Sequence, residues 1–212
     1  MKTFSLEDIN AMEQRYRTTF INSIAGFKSL NLVGTINDQG NTNMAPFNSI
    51  FHVGAHPPLL GMVCRPHEVE RHTLENILSQ KFYTFNHVHE KILNAAHHCA
   101  ARYDKEISEF DASGLTTYFS ENFKAPYVFE SKVKIGLEFK EKLEISSNHT
   151  VIIVGQITEI IIDENAIKND GFVNLSALES LTVAGLDAYY KPKFLTRLKY
   201  AKPHVPSQSI ID

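Results

Sequence analysis

The stretch from Leu30 to Phe51 reads Leu-Asn-Leu-Val-Gly-Thr-Ile, then Asn-Asp-Gln-Gly-Asn, then Thr-Asn-Met-Ala-Pro-Phe-Asn-Ser-Ile-Phe. Its first part has the alternation of a strand, with Leu30, Leu32, Gly34 and Ile36 on one side. Residues 37–41 are rich in the amide, acidic and glycine residues that form turns. A second strand, from Asn43 to Phe51, completes a predicted β-hairpin.

Strand-like segments recur along the rest of the chain. They cover residues 59–64, 82–88, 133–143 and 151–162, and the first begins after His56-Pro57-Pro58, where proline interrupts strand pairing. Helices are predicted after a capping box at Ser5, at residues 73–78 with Thr73 at or near the N-cap, and at residues 90–102. Strands at hairpin spacing with helices inserted between them predict a mainly β barrel, not alternating βαβ units.

No linker divides the chain, so we expect a single domain over residues 1–212. It would have a short N-terminal helix and a C-terminal tail from about Gly185. Charges nearly balance, with 21 Lys and Arg against 24 Asp and Glu and a net charge of −3. This balance argues against nucleic acid and anionic membrane as partners.

Two cysteines, Cys64 and Cys99, lie too far apart for a C-x-x-C motif. Together with an N-terminus that lacks the features of a signal peptide, they favour the reducing cytoplasm. The most apolar stretch, residues 151–162, is interrupted by polar side chains and is too short to cross a bilayer as a helix. We therefore expect a cytoplasmic protein without a membrane span.

Histidine is unusually frequent, with ten residues, eight of them between His52 and His98. A metal site is one interpretation, because His87 and His89 are spaced to share a strand face. Against it, His97 and His98 would point about 100° apart on a helix. No recognised ligand spacing joins a histidine pair to a cysteine or a carboxylate, so no metal site is expected.

A phosphate site is predicted where Arg65, Arg71, Thr73 and Asn76 surround the start of a helix. Free N–H groups and the positive end of the helix dipole attract anions there, and arginine adds bidentate donors. Just upstream, Pro46 interrupts a strand and frees backbone groups for a planar polar ligand. The alternative is that Thr73 only caps the helix and Arg71 is a solvated charge. Glycine-rich nucleotide motifs, the nucleophile elbow and H-E-x-x-H are absent from the sequence.

The same segments resemble the flavin reductase-like FMN-binding split-barrel family, which includes flavoredoxin-like flavoproteins. The resemblance extends in collinear order from about Phe20 to Tyr190. It rests on Leu32–Thr35, Asn43–Ser49, Pro57–Gly61, Arg71–Ile77, Glu109-Phe110 with Gly114-Leu115, Ala125–Tyr127 with Glu130-Ser131, Asn148–Thr150 before Gly155, and Gly185 with Tyr189-Tyr190.

This resemblance implies a six-stranded antiparallel split barrel that forms a homodimer and binds FMN, or alternatively FAD, near the subunit interface. It implies that the isoalloxazine ring lies along Asn43, Ala45, Pro46, Phe47, Asn48 and Ser49. It also implies that Arg71 and Thr73, with Asn76 behind them, hold the phosphate. Phe47, Phe51 and Tyr127 are candidates for the dimer contact.

His149 matches a family position that lies beside the nicotinamide. Here the residues are Ser147-Asn148-His149, not the common Gly-Asp-His, so a plain turn residue is the alternative. The implied function is an oxidoreductase that passes a hydride from NADH or NADPH to the flavin and electrons on to an acceptor, such as a partner oxygenase. Two alternatives stay open: a non-enzymatic FMN-binding electron carrier or redox sensor, and a metal-dependent enzyme that uses the histidines.

Overall fold

A computed structural model of the chain describes residues 1–66, 72–104 and 106–210. The described helices are α1 (Leu6–Ala11), α2 (Gln14–Ile24), α3 (His72–Gln80), α4 (Leu93–His98) and α5 (Glu109–Ser113), with 3₁₀ turns at Glu90–Ile92 and Glu164–Ala166. The strands are β1 (Lys28–Ser29), β2 (Asn31–Ile36), β3 (Thr42–Phe47), β4 (Ile50–Ala55), β5 (Pro58–Cys64), β6 (Phe82–His87), β7 (Thr117–Tyr118), β8 (Tyr127–Val128), β9 (Val133–Ile145), β10 (Thr150–Ile162), β11 (Thr182–Ala184) and β12 (Ala188–Tyr190).

The main sheet has seven antiparallel strands in the order β3-β2-β6-β9-β10-β5-β4. Its two edge strands, β3 and β4, are consecutive in the chain, and only Asn48 and Ser49 separate them. A linker this short spans about 10 Å at most, so the two edges of the sheet must meet at this point. The sheet is therefore curled into a barrel, which confirms the predicted mainly β fold.

The strand count differs from the six that the sequence predicts, because the predicted strand from Asn43 to Phe51 is divided. Its first part, β3, pairs with β2, and its second part, β4, pairs with β5. A strand that changes neighbours must leave one ladder before it enters the other. Asn48 and Ser49 make this change, and the Ser49 carbonyl accepts from the Val63 N–H at 2.9 Å.

The hydrophobic core has two main parts on opposite faces of the sheet. One cluster joins residues of α3 to inward-facing strand residues; its members include Val33, Met62, Leu74, Ile77, Tyr83, Phe85, Leu137 and Ile153. The second cluster lies between β2–β3 and the segment containing α4 and α5; its members include Leu32, Met44, Ala96, Cys99 and Phe110. Because β2 contributes to both clusters, its side chains are buried on both faces.

The helices predicted after Ser5 and over residues 73–78 are confirmed by α1 and α3, whereas the third is wrong in length. The capping box is confirmed: the Ser5 hydroxyl accepts from the Asp8 N–H at 3.1 Å, and the Asp8 carboxylate accepts from the Ser5 N–H at 2.8 Å. The helix predicted over residues 90–102 is too long. A 3₁₀ turn precedes α4, and the chain after His98 closes into tight turns in which Ala100 and Ala101 donate to carbonyls three residues earlier.

The remaining strand predictions are confirmed by β5, β6, β9 and β10. The segment from Gly185, predicted as the start of a tail, still belongs to a hairpin, because β12 pairs with β11 in a small sheet that also contains β1. Within the described residues, no helix is both long and apolar enough to cross a membrane.

Gly155 provides a test of packing inside the barrel. A Cβ atom there would lie 2.1 Å from Tyr83 Oη, a buried hydroxyl without a hydrogen-bond partner among the described residues. We expect Gly155→Ala to lower the free energy of unfolding by about 1–3 kcal/mol, and by clearly less in a Tyr83→Phe background. Urea unfolding of the four proteins in this cycle measures both values. An equal cost in the two backgrounds would contradict this packing.

Candidate functional site

The candidate site begins at the free edge of β3. The backbone N–H of Met44 donates to Glu109 Oε2 at 2.9 Å and not to a neighbouring strand. In an antiparallel strand the N–H and C=O of one residue point the same way, and successive residues alternate. Met44 and Pro46 therefore both face the open edge. Pro46 has no N–H, so it adds an acceptor to this edge without adding a donor.

Exposure along the chain changes at this strand. Asn43 and Met44 are buried, whereas residues 45–49 are half-buried. The Asn48 side-chain amide donates to the Gly185 carbonyl at 2.9 Å, and the Ser49 hydroxyl donates to Asn48 Oδ1 at 3.2 Å. Of the predicted ring-binding residues, residues 45–49 therefore form one contiguous and accessible strip, held in place at its far end by Gly185, whereas Asn43 is buried beneath it.

The other predicted residues that the structure brings together are Asn43, Thr73 and Asn76. The Asn43 amide donates to Thr35 Oγ1 at 3.2 Å and to Thr73 Oγ1 at 3.1 Å, and the Asn76 amide donates to Thr35 Oγ1 at 3.1 Å. All four side chains are buried. This amide–hydroxyl cluster fixes the first turn of α3 against β2 and β3. The alternative that Thr73 caps the helix is wrong, because Thr73 lies within α3.

Two predicted site residues lie at the end of the sheet where β5 ends and β10 begins. Arg65 is exposed and directly follows β5, whose last residue, Cys64, pairs with Val151. His149 occupies the turn before β10, with φ 55°, and its Nδ1 lies 2.9 Å from Glu144 Oε1. Within the described part of the chain, no hydrogen bond joins either residue to β3. Arg71 lies outside the described residues.

The turn position of His149 is itself informative. Its side chain is 75% exposed, and its hydrogen bond lowers the pKa of Glu144 below the ordinary value for a glutamate. A positive φ is uncommon for histidine and typical of a turn residue. The structure thus agrees with the turn interpretation, and any role beside a nicotinamide stays a prediction.

The histidines of the metal interpretation have separate partners. His87 Nδ1 lies 3.0 Å from Ser180 Oγ, His89 Nε2 lies 2.9 Å from the Glu130 carbonyl, and His97 Nδ1 lies 2.6 Å from the Tyr189 hydroxyl. Over the ranges that the structure describes, no group of three or more histidine, cysteine or acidic side chains could hold a metal ion.

One predicted dimer contact is wrong. Tyr127 is fully buried, and its hydroxyl donates to Glu159 Oε2 at 2.7 Å, so no second subunit can reach it in this fold. Phe51 is 41% exposed on the edge strand β4, and its ring lies where a Cβ atom of residue 61 would be 2.5 Å away. Phe47 is half-buried. Of the three predicted contact residues, only Phe51 and Phe47 therefore remain accessible to a partner.

Two residues of this region have roles that sequence reasoning missed. Thr35 accepts from two buried amides, and Glu109 provides a buried carboxylate for the β3 edge. Burial raises the pKa of Glu109 above that of an ordinary glutamate. Nothing in the local sequence distinguishes Glu109 from an acidic residue that only stabilises the start of a helix.

Comparisons with known proteins agree with this geometry. A family model described as a flavin reductase like domain matches residues 28–178. A protein from Shewanella frigidimarina NCIMB 400, assigned as a flavin reductase with a split barrel domain, is similar in sequence and structure. The identity is 46%, the TM-score is 0.91, and the match covers 95% of this chain and 100% of that one.

More distant solved structures share the fold. Nitrilotriacetate monooxygenase component B from Bacillus cereus has 18% identity and a TM-score of 0.82, with 93% of this chain and 98% of that chain covered. The 2-nitrobenzoate 2-nitroreductase from Pseudomonas fluorescens has 20% identity and a TM-score of 0.80, with 97% and 98% covered.

The amide–hydroxyl cluster predicts an order of stabilities. Thr35→Val removes an acceptor from two buried amides, and we expect it to lower the free energy of unfolding by about 2 kcal/mol. Thr73→Val removes an acceptor only from Asn43, which keeps Thr35, so we expect a loss of about 1 kcal/mol. Urea denaturation measures both. The reverse order would show that Thr35 is not the centre of the cluster.

The pKa of His87 predicts a pH dependence of stability. Burial lowers the folded-state pKa of His87 to about 4, whereas the unfolded chain binds this proton near pH 6.5. The contribution of neutral His87 to the free energy of unfolding is therefore fully present above pH 6.5. It decreases by about 2–3 kcal/mol as the pH falls towards 4. We expect His87→Gln to remove this part of the pH dependence of the free energy of unfolding, which urea unfolding at several pH values measures. His98→Gln changes an exposed histidine and should retain the same pH dependence as the unchanged protein. If both variants retain it, the assignment of this pH dependence to His87 is wrong.

Proposed function

This chain belongs to the flavin reductase-like domain family, whose members are flavin-linked oxidoreductases, and we propose that it binds FMN along the free edge of β3. In this proposal it accepts a hydride from NADH or NADPH and transfers electrons to a separate acceptor. The observation that carries the proposal is the half-exposed strip from Ala45 to Ser49 at the point where the barrel closes.

The residues of the strip fit the edge of a flavin ring, which carries both carbonyl groups and an N–H. The Pro46 carbonyl faces the open edge and can accept a hydrogen bond. The Asn48 amide uses one N–H on Gly185 and has a second to donate. With no Pro46 N–H to satisfy, a planar ring can approach this edge without burying an unpaired backbone donor.

The phosphate would bind at the start of α3. The amide–hydroxyl cluster holds this turn rigidly, and a helix N-terminus favours an anion. The Thr73 hydroxyl, which accepts from Asn43, keeps its own hydrogen to donate. Arg71 and Arg65 are the proposed charged ligands, with Asn76 supporting the turn from behind.

When bound, the flavin supplies hydride and electron transfer, so the chain needs no nucleophile or acid–base pair. Its proposed work is to orient the ring along β3 and to anchor the phosphate. The relation to a monooxygenase component and to a nitroreductase supports two classes of acceptor, a partner oxygenase and a small organic molecule. We also propose a homodimer in which the exposed β4 residues Phe51 and Val53 lie at the interface.

Anaerobic spectroscopy tests the oxidoreductase proposal. Protein reconstituted with FMN should lose the visible absorbance of oxidised flavin when NADH or NADPH is added, and the faster nucleotide identifies the preferred donor. Free FMN with each nucleotide is the control. Stable FMN binding without reduction by either nucleotide would favour the electron-carrier alternative, and no flavin binding would exclude the proposal.

The phosphate ligand is tested by comparing FMN with riboflavin. Arg71→Ala should weaken FMN binding by about 10- to 150-fold, because a charge-assisted hydrogen bond contributes about 1.5–3 kcal/mol. Riboflavin has no phosphate, so its affinity should barely change. Arg102→Ala, at an exposed arginine outside the site, is the matched control. Equal weakening of both ligands, or of neither, would show that Arg71 does not bind the phosphate.

A further inference from the structure

The carboxylate of Glu109 takes the place of a neighbouring strand at the edge of β3. Its Oε2 accepts from the Met44 N–H at 2.9 Å. Met44 is fully buried and Glu109 is 7% exposed, so neither group can exchange this bond freely for one to water. A lone edge strand normally leaves such a donor to solvent or to another strand.

A buried carboxylate needs compensating interactions, because removing it from water is unfavourable. Burial raises the pKa of Glu109, and the Met44 hydrogen bond acts in the opposite direction. Among the described residues, the titratable side chains that interact with Glu109 include His72, the first described residue of α3, and Cys99, which follows α4. Of these interactions, the hydrogen bond to Met44 is the one that holds a backbone group of β3 in place.

The start of α5 holds β3 at a second point. The Ser108 and Thr42 hydroxyls lie 2.8 Å apart, so two adjacent residues of one segment contact two positions of the strand. Phe110 packs beside Met44 in the same hydrophobic cluster. These contacts end immediately before the half-exposed strip that begins at Ala45.

We infer that Glu109 is a positioning residue whose carboxylate holds the β3 edge in the line on which the flavin ring binds. The inference rests on the proposed function. If Met44 loses its acceptor, the edge adopts the binding-competent position for only a fraction of the time. The apparent dissociation constant rises by the inverse of that fraction.

The test compares substitutions that keep or remove the acceptor. E109Q keeps an oxygen that can accept from Met44 and removes the charge, so we expect FMN affinity within about 3-fold of the unchanged protein. E109L leaves the N–H unpaired, which costs about 1–3 kcal/mol, so we expect FMN binding about 5- to 150-fold weaker. E109D keeps a carboxylate on a side chain that is one methylene shorter, so its FMN affinity should lie between those of E109Q and E109L. This variant remains informative if E109L does not fold.

S108A is the matched control, because it removes a neighbouring side-chain hydrogen bond without touching a backbone group of β3. It should lower the stability of the fold slightly and leave FMN affinity unchanged. Three readouts are compared across the variants: the FMN dissociation constant, the visible spectrum of bound FMN, and amide exchange at Met44 without ligand. Full rescue by glutamine, partial rescue by aspartate and none by leucine supports positioning.

FMN affinity and spectrum that stay unchanged in E109L and E109D would overturn the inference while leaving the proposed function intact. Equal weakening in S108A and E109D would also overturn it, since it would indicate a general loss of stability. If the unchanged protein binds no FMN, the proposed function fails instead. Met44 exchange then still reports whether Glu109 holds the edge: faster exchange in E109L but not in E109Q supports that role, and equal exchange contradicts it.

Discussion

The covalent link between the two edges of the main sheet is the constraint on which the rest of this structure depends. Asn48 and Ser49 join β3, which pairs with β2, to β4, which pairs with β5. Because two residues cannot span a wide gap, the seven strands must curl until their edges meet. Among the described residues, no strand pairs with the outer edge of β3, and this unpaired edge is where the candidate site lies.

The buried backbone donor of that edge has a hydrogen-bond acceptor, and the rest of the edge is accessible. Glu109 accepts the Met44 N–H, and a proline occupies the next edge-facing position, so no buried donor is left unpaired there. Deeper in the barrel, neutral amides and hydroxyls bind one another and not a charged group. Such a network fixes the start of α3 without the desolvation penalty of a buried ion pair.

Much of the fold could be predicted from the sequence because the strands alternate and the turns carry strong signals. The sequence could not show that residues 43–51 divide between two neighbours, since Asn48-Ser49 can equally lie within one irregular strand and only tertiary pairing reveals the division. It also could not show that Tyr127 is buried, because residues that are distant in the chain, including Phe82 and Ile161, pack in the same cluster. The sequence assigns Asn43 to the ring-binding strand and Thr73 and Asn76 to the phosphate site, and the acceptor that joins them, Thr35, is recognisable only from the register of β2 against β3.

Residue-resolved amide exchange with and without FMN tests the central claim, that the unpaired edge of β3 binds the flavin. The account predicts that added FMN slows exchange mainly at residues 44–49, Pro46 excepted, and in the first turn of α3. A separate cavity of about 370 Å³ is lined by residues that include Ser131, Lys134, Ile161 and Leu178, and exchange there should not change. Protection confined to that cavity, with none along β3, would contradict the account.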